Sequence, residues 1–444
     1  MYPEAYSFRA LNDKSSRFLV AHLSESGHLR VAASSGSGEP AAPHIRTVFS
    51  AGVEEPDWGD YRKKGLVSTL EVFKAKPGEL TMAPRLLYQR LCQQLHECVP
   101  NLKVWRTRRL ALLVTGLLLA RHTALPRLAA QLRHVTPTAQ ADSIERRLRR
   151  ILAESDWDAP TIFTAVARVS LQRLPAGRCV LVLDDTQQTT HCTVSTLALD
   201  YGGRALPLAW CRWSGRLHGT YWQQIDRLFE QAQAILPTHV QPVVLADRGL
   251  ASPMLIKLIQ KRGWDYLVRV QHDTTLRTSR PRRAPHVHLG ELVQQPGAPS
   301  VTRSGWVFGR GSVWAHTAAV WRRGCQEPWL LVSNLDLGTG LADLYAQRMH
   351  VEALFRDAKS GAFEWELSRV LRAERAQRLL LGLMLALLCA VLLGEASIRA
   401  GEIPAYGRRR HAVSLVRRGL DWLTAPSRSR FFRWTLESPE TVRI

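Results

Sequence analysis

Hydrophobic and polar positions follow two different periods along the chain. From Met82 to about residue 172 the apolar positions recur at helical spacing, as in APRLLYQRLCQQLHECV and RTRRLALLVTGLLLARH. Residues 1–81 lack such a pattern and include the stretch SESGHLRVAASSGSGEPAAP, which is rich in Ser, Gly, Ala and Pro. We therefore predict a poorly ordered extension over 1–81, with Met82 a candidate for the true start, and a helical domain over 82–175.

From Gly177 the pattern changes to period two and short apolar runs. Residues 176–400 are typical of three strands, a helix, a strand, a helix and a strand, followed by an interruption and a long helix. That order predicts an α/β fold, a ribonuclease H-like mixed sheet with flanking helices. The interruption, residues 274–330, contains the strand-like pieces WVFGR and VWAHTAAVWRR and predicts a β-rich insertion subdomain. For residues 401–444 we predict a basic helical region.

The helical domain contains a candidate DNA-binding element. LPRLAAQL, a break at HVTPTAQAD, and SIERRLRRIL are typical of a helix-turn-helix arrangement. The surface of its second helix carries Arg146, Arg147, Arg149 and Arg150. These arginines either line DNA or form a solvated face; we predict DNA contact, and therefore an N-terminal helical DNA-binding domain.

Composition adds information on partner and compartment. The 444-residue chain has 60 Lys and Arg against 38 Asp and Glu, a formal net charge of +22. Such an excess favours a polyanionic partner, although an arginine-rich protein without one would show the same balance. Seven cysteines without CxxC pairs fit buried thiols in a reducing compartment. The chain opens without a secretory signal, and the apolar run 379–393 is short for a bilayer. We predict a cytoplasmic, nucleoid-associated protein without a membrane partner.

Three acids carry the candidate chemistry. Asp184 ends the first strand of the sheet, Asp247 ends the fourth, and Glu352 lies on the helix after the insertion. Ligands gather at the carboxyl ends of strands in open α/β sheets, and carboxylate oxygens suit Mg²⁺ or its substitute Mn²⁺. Two such ions, about 3.5–4 Å apart, would activate the attacking oxygen and stabilise the leaving oxygen in phosphoryl transfer. Because neighbouring strand residues face opposite sides, Asp185 is excluded if Asp184 is a ligand.

The helix that bears Glu352 also carries a phenol and two cations at related positions. Tyr345, Arg348, Glu352 and Lys359 span about 60° of arc on a regular helix with ~3.6 residues per turn. Such a stripe is either a solvated face or a carboxylate site flanked by groups that bind phosphate. The two strand-end aspartates favour the second interpretation.

These motifs resemble the DDE transposases of the insertion-sequence-four family. That family's signature is Tyr, two residues, Arg, three residues, Glu, six residues, Lys, which this chain matches in full. The blocks around Asp184 (Asp184-Asp185-Thr186) and Asp247 (VVLADRGL) also match, and WLLVSNL differs from the usual element in having Ser333 for Thr. The similarity covers residues 82–400.

The resemblance implies a cut-and-paste transposase that forms hairpin intermediates. Asp184, Asp247 and Glu352 would bind two magnesium ions, and the other signature residues, Tyr345, Arg348 and Lys359, would contact phosphates near the cleaved end. Water would nick the strand at the element's tip, and the freed 3′-OH would attack the opposite strand before transfer into target DNA. The implied partners are terminal inverted repeats, target DNA and a second protomer in a homodimer on DNA.

A tryptophan of the insertion would, by the same resemblance, stack a flipped base. The candidates are Trp306, Trp314, Trp321 and Trp329. We select Trp321, which two arginines follow, although a role in the core remains equally open. Two other functions also remain open: a structure-selective DNA nuclease, and a non-catalytic DNA-binding derivative of a transposase.

Overall fold

The computed structural model describes residues 84–189, 192–213, 220–279, 285–309, 311–370, 372–400 and 413–424, together with five strands in residues 1–81. The chain divides into two compact units, of which the first comprises residues 1–81 with 426–428.

The first unit contains two small sheets. Strands β1–β3 (Tyr6–Arg9, Phe18–Leu23 and Leu29–Ala33) are antiparallel, and β4 and β5 (Ile45–Phe49 and Leu70–Lys74) pair in parallel. The expectation of poor order over residues 1–81 lies largely outside the described residues and stays a prediction.

The described part of the second unit opens with a helical bundle. Its helices are Pro84–Cys98, Val104–Ala120, Leu125–Leu132, Ala141–Ala153 and Ala159–Leu171. Amphipathic spacing explains the packing: the fourth helix buries Ile144, Leu148 and Ile151 on one face and leaves its arginines exposed. Asp158 caps the fifth helix by accepting a hydrogen bond from the backbone N–H of Thr161.

A mixed sheet of ten strands follows the bundle, so the α/β class is confirmed. The strands are β6 (Gly177–Thr189), β7 (Cys192–Tyr201), β8 (Arg204–Trp213), β9 (Val240–Ala246), β10 (Asp265–Arg269), β11 (Thr275–Arg277), β12 (His286–His288), β13 (Val301–Val307), β14 (Val313–Val320) and β15 (Trp329–Ser333). Their order across the sheet is β12-β11-β13-β14-β15-β10-β9-β6-β7-β8. The strands of the insertion therefore extend the main sheet.

The pairing of β9 determines where the site lies. Strand β9 runs parallel to both β6 and β10, with Ala246 opposite Leu183 of β6 and Val268 of β10. The carboxyl ends of β9 and β10 consequently meet at one edge of the sheet, and Asp184 of β6 lies at the same level. Strand β6 itself continues to Thr189, so the prediction that Asp184 ends its strand is wrong. We call this edge the catalytic edge.

Helices flank the sheet and connect its strands. They are Tyr221–Ile235, Pro253–Gln260, Gly340–Ala346, His350–Arg356, Ala373–Arg399 and Leu415–Thr424, with 3₁₀ turns at Leu289–Leu292, Gln347–Met349 and Trp365–Leu367 and a π turn at Asp357–Gly361. We call Ala373–Arg399 the central helix.

The central helix contains the apolar run 379–393. By length and composition it could cross a membrane, but 89% of its most apolar stretch is buried within the fold, as in the core helix of a globular protein. The Leu415–Thr424 helix packs so closely against it that a Cβ on Gly419 would overlap the carbonyl oxygen of Ala390.

Candidate active site

The segment that carries the signature residues is not one regular helix. It begins as Gly340–Ala346, tightens into the 3₁₀ turn, continues as His350–Arg356 and widens into the π turn. The prediction that all four residues share one stripe is therefore wrong for the last of them. The Nζ atom of Lys359, on the π turn, lies 3.8 Å from Oε1 of Glu366.

Arg348 joins two of the three predicted acids. Its Nη1 donates a hydrogen bond of 2.9 Å to Oδ2 of Asp184, and its Nη2 donates one of 2.9 Å to Oε1 of Glu352. Arg348 is buried, with 8% of its surface exposed, whereas the side chain of Glu352 is 44% exposed, so only the bond to Asp184 is largely shielded from water. The guanidinium thereby connects β6 to the helix that bears Glu352.

Asp247 follows β9 directly and is positioned by two neighbours. The phenol of Tyr345 donates a hydrogen bond of 3.1 Å to Oδ1 of Asp247, and Nη1 of Arg269 lies 3.9 Å from the same oxygen. Burial and the charge of Asp247 both raise the pKa of Tyr345, so the phenol keeps its proton and remains a donor. Three of the four signature residues and both aspartates therefore lie together at the catalytic edge.

The carboxyl group of Asp184 has a raised pKa. Burial raises its pKa to about 6, and the charges of Asp247 and Asp185 add to the rise, while Arg348 and the backbone N–H of Asp185 oppose it. A buried carboxyl group held near other acids is typical of functional sites. A cation that bound there would relieve this repulsion.

The three carboxylates suit a hard divalent cation in their chemistry, but in this conformation they are not arranged to bind one. Three carboxylates provide the oxygen ligands that Mg²⁺ and Mn²⁺ prefer. In the described part of the chain, however, no group of three or more His, Cys, Asp or Glu side chains is placed to hold a metal ion. Arg348 instead serves as the cation between Asp184 and Glu352. The oxygen ligands of these residues would suit a metal ion once the guanidinium of Arg348 had moved away from Asp184 and Glu352.

Sequence comparison points to the same segment. Residues 221–389 match the family model described as Transposase DDE domain. The match contains Asp247 and Glu352 and begins after Asp184. No curated protein shows significant similarity to the chain. Among solved structures, the cryo-EM structure of the piggyBac transposase synaptic complex with hairpin DNA is similar at a TM-score of 0.37 and 11% identity, over 76% of this chain and 77% of that chain.

Two further acids, Asp185 and Asp357, hydrogen-bond to other partners. Asp185 accepts a hydrogen bond of 3.3 Å from the phenol of Tyr221, on the face of β6 opposite Asp184. Asp357, on the π turn, accepts a hydrogen bond of 3.3 Å from the hydroxyl of Ser414. Both carboxyl groups are thus engaged in hydrogen bonds within the fold.

The four arginines predicted to contact DNA are all exposed on the Ala141–Ala153 helix. Arg149 donates to Glu145 within that helix. The described structure does not bring Arg146, Arg147 or Arg150 to the catalytic edge, and their contact with DNA stays a prediction.

The tryptophans of the insertion separate into two pairs. Trp321 and Trp329 lie at the catalytic edge, since β14 ends beside the start of β15. Trp329 packs edge-to-face on Tyr345, with ring centroids 5.3 Å apart, and Nε1 of Trp321 donates to the carbonyl oxygen of Cys325. Trp306 and Trp314 pack on each other farther along the hairpin, about 20 Å from this edge at ~3.3 Å per residue.

Sequence reasoning missed Arg269 and Glu327. Oε2 of Glu327 accepts hydrogen bonds from Arg269 at 2.9 Å and from Arg248 at 2.7 Å, and Arg269 also approaches Asp247. Arg269 is the last residue of β10, the strand next to β9. The rule that identified Asp247, a polar residue at the carboxyl end of a parallel strand, would therefore have found Arg269.

Proposed function

We propose that the protein is a DDE transposase of the insertion-sequence-four type that moves DNA by cut and paste. The convergence of Asp184, Asp247 and Glu352 around Arg348 and Tyr345 carries this proposal, because it joins three oxygen ligands with two groups suited to phosphate. The match of residues 221–389 to a transposase domain supports it independently.

The sheet topology supports a ribonuclease H-like core. Strands β6, β7 and β8 form an antiparallel meander, and β9 and β10 add on the other side of β6 in parallel with it. This order places Asp184, on β6, beside Asp247, which directly follows the adjacent strand β9.

Magnesium ions, two by analogy with the family, would be held by Asp184, Asp247 and Glu352 and would supply Lewis-acid activation of the attacking oxygen. The chain's own groups prepare the site. Tyr345 orients Asp247 through its hydrogen bond, and burial holds the Asp184 carboxyl where a cation is favoured.

Arg348 and Lys359 would bind the DNA phosphates. In this structure both side chains contact carboxylates. Arg348 contacts Asp184 and Glu352, and Lys359 contacts Glu366. A phosphate diester offers the guanidinium the same bidentate geometry as a carboxylate, so Arg348 could exchange one partner for the other.

The DNA reactions follow from the same assignment. Hydrolysis at the element's tip would free a 3′-OH, which would form the hairpin and later join target DNA. The partners would be the terminal inverted repeats, target DNA and a second protomer in a homodimer, in the cytoplasm at the nucleoid. Trp321 remains our choice for stacking a flipped base, because it lies at the catalytic edge beside two exposed arginines.

A strand-transfer assay tests the proposal. Purified protein is incubated with Mg²⁺, a plasmid and labelled DNA that carries the inverted repeats flanking its gene. We expect cleavage at the ends and joining of the labelled 3′-OH strand to the plasmid, both absent in Glu352→Gln. Cutting without joining would instead show a structure-selective nuclease. Binding without either reaction would show a non-catalytic derivative.

A further inference from the structure

A large basic cleft lies between the helical bundle and residues 366–375, which follow the segment that bears the signature residues. Its volume is about 900 Å³. One wall comes from the third and fourth helices of the bundle, and the other from residues 366–375. Of the described residues that line it, five are arginines and one is an acid, Glu366; the arginines are Arg127, Arg149, Arg369, Arg372 and Arg375.

Within the described part of the chain, most of these cations have no carboxylate beside them. Arg149 is paired with Glu145, whereas Arg127, Arg369, Arg372 and Arg375 have no carboxylate within 4.0 Å among the described residues. Burial lowers the pKa of His122, which also lines the cleft, so this imidazole adds no charge at neutral pH. Like charges gathered on facing walls repel one another, and a polyanion would remove that repulsion.

The two walls are held in place by hydrogen bonds. The hydroxyl of Thr123 donates to the carbonyl oxygen of Glu364 at 3.1 Å, and Nη1 of Arg378 donates to the carbonyl oxygen of Leu152 at 2.6 Å. Thr123 and Arg378 are both buried. The cleft is thus a preformed feature, and a ligand would not have to order it.

The cleft adjoins the π turn that follows the Glu352-bearing helix. Glu366 lines the cleft and lies 3.8 Å from the Nζ atom of Lys359, which follows Glu352 by seven residues.

We propose that this cleft binds the phosphate backbone of the DNA duplex whose end is cut at the three acids. This inference rests on the transposase proposal. Arg369, Arg372 and Arg375 would contact successive phosphates on one wall, and Arg127 and Arg149 would contact the backbone from the other. Such contacts position DNA without reading its sequence.

Salt-dependent DNA binding tests this inference. Affinity for a short fluorescein-labelled duplex is measured by anisotropy between about 50 and 200 mM salt, without divalent metal so that the DNA stays intact. We compare the full-length chain with Arg369→Gln/Arg372→Gln/Arg375→Gln. We expect weaker binding, with the slope of log K against log salt shallower by about 0.9 for each phosphate that the variant no longer neutralises.

A matched control removes the same charge elsewhere. Arg173→Gln/Arg227→Gln/Arg303→Gln changes three exposed arginines outside the cleft and should leave the slope near that of the unchanged protein. All six residues are exposed or partly exposed, and circular dichroism will verify that both variants fold. Equal slopes for the two triple variants would overturn the cleft assignment. Tighter binding of an acidic peptide than of DNA at this cleft would also overturn it.

The outcome is separable from that of the transposase proposal. If the unchanged protein never joins a 3′-OH strand to target DNA but the cleft variant has the shallower slope, the transposase proposal fails and the cleft stands. If strand transfer occurs and the cleft variant binds like the control, the cleft assignment fails alone.

Discussion

Replacing Asp184 with Asn should stabilise the fold at pH 8 while abolishing catalysis. Burial raises the pKa of Asp184 from its ordinary value of 3.8 to about 6, and this value already includes the opposing attraction of Arg348. One pKa unit corresponds to about 1.4 kcal/mol, so the ionised carboxylate destabilises the folded state by about 3 kcal/mol relative to the protonated form. The amide of the variant resembles the protonated carboxyl in shape and cannot ionise.

The pH dependence has a definite sign. Because the folded-state pKa lies above the unfolded one, the stabilising contribution of the protonated carboxyl is complete below about pH 4 and is lost as the pH rises through about 6. The Asp184→Asn variant keeps this contribution at every pH, because its amide cannot ionise. The variant's advantage in free energy of unfolding should therefore be near zero at pH 4 and reach about 3 kcal/mol at pH 8.

Urea unfolding followed by circular dichroism at several pH values measures this difference. Asp343→Asn is the control, since Asp343 is an exposed acid paired with Arg322 and should show no comparable gain. A variant that is less stable than the original protein at pH 8, or whose advantage is the same at every pH, would refute the reasoning. Added Mg²⁺ should stabilise the original protein and not Asp184→Asn, because a cation bound to the native state adds to stability.

Other perturbations test separate parts of the structure. Asp247→Asn and Glu352→Gln should abolish cleavage and keep DNA binding, because each removes a ligand charge without removing bulk; a gel-shift and a cleavage assay on the same preparation will show this, and loss of binding would count against the assignment. Arg348→Gln should lower stability by about 1.5–3 kcal/mol, since it removes charge-assisted hydrogen bonds to two partly exposed acids; it should also weaken end binding more than Mn²⁺ binding measured calorimetrically, and the reverse order would contradict a role in holding phosphate. Gly419→Ala should lower the melting temperature, because its Cβ would overlap the backbone of the central helix; an unchanged melting temperature would show that the two helices can separate freely.

Part of this site could be predicted from local rules. Asp184 and Asp247 end apolar runs that are typical of buried strands, and parallel strands must bring their carboxyl ends to one edge. The alternation of strand side chains correctly separated Asp184 from Asp185. The strong helical periodicity before residue 172 likewise predicted the bundle.

The remainder depends on geometry that periodicity does not contain. Lys359 was placed by assuming a regular helix, and the π turn at Asp357–Gly361 changes the number of residues per turn. The bond between Arg348 and Asp184 joins residues far apart in the chain, and no local pattern specifies it. The basic cleft is assembled from two distant segments, whose arginines look like solvated faces when each segment is considered alone.

The position of Arg348 has a consequence for the order of events in a cell. Magnesium bound by these acids, as proposed, would compete with the guanidinium of Arg348, which the chain itself keeps at the site. The phosphates of bound DNA would offer that guanidinium another partner, so DNA binding and metal binding would favour each other. The proposed transposase would thus become able to cut only after DNA has bound, and the free protein would not act as a nuclease on the host chromosome.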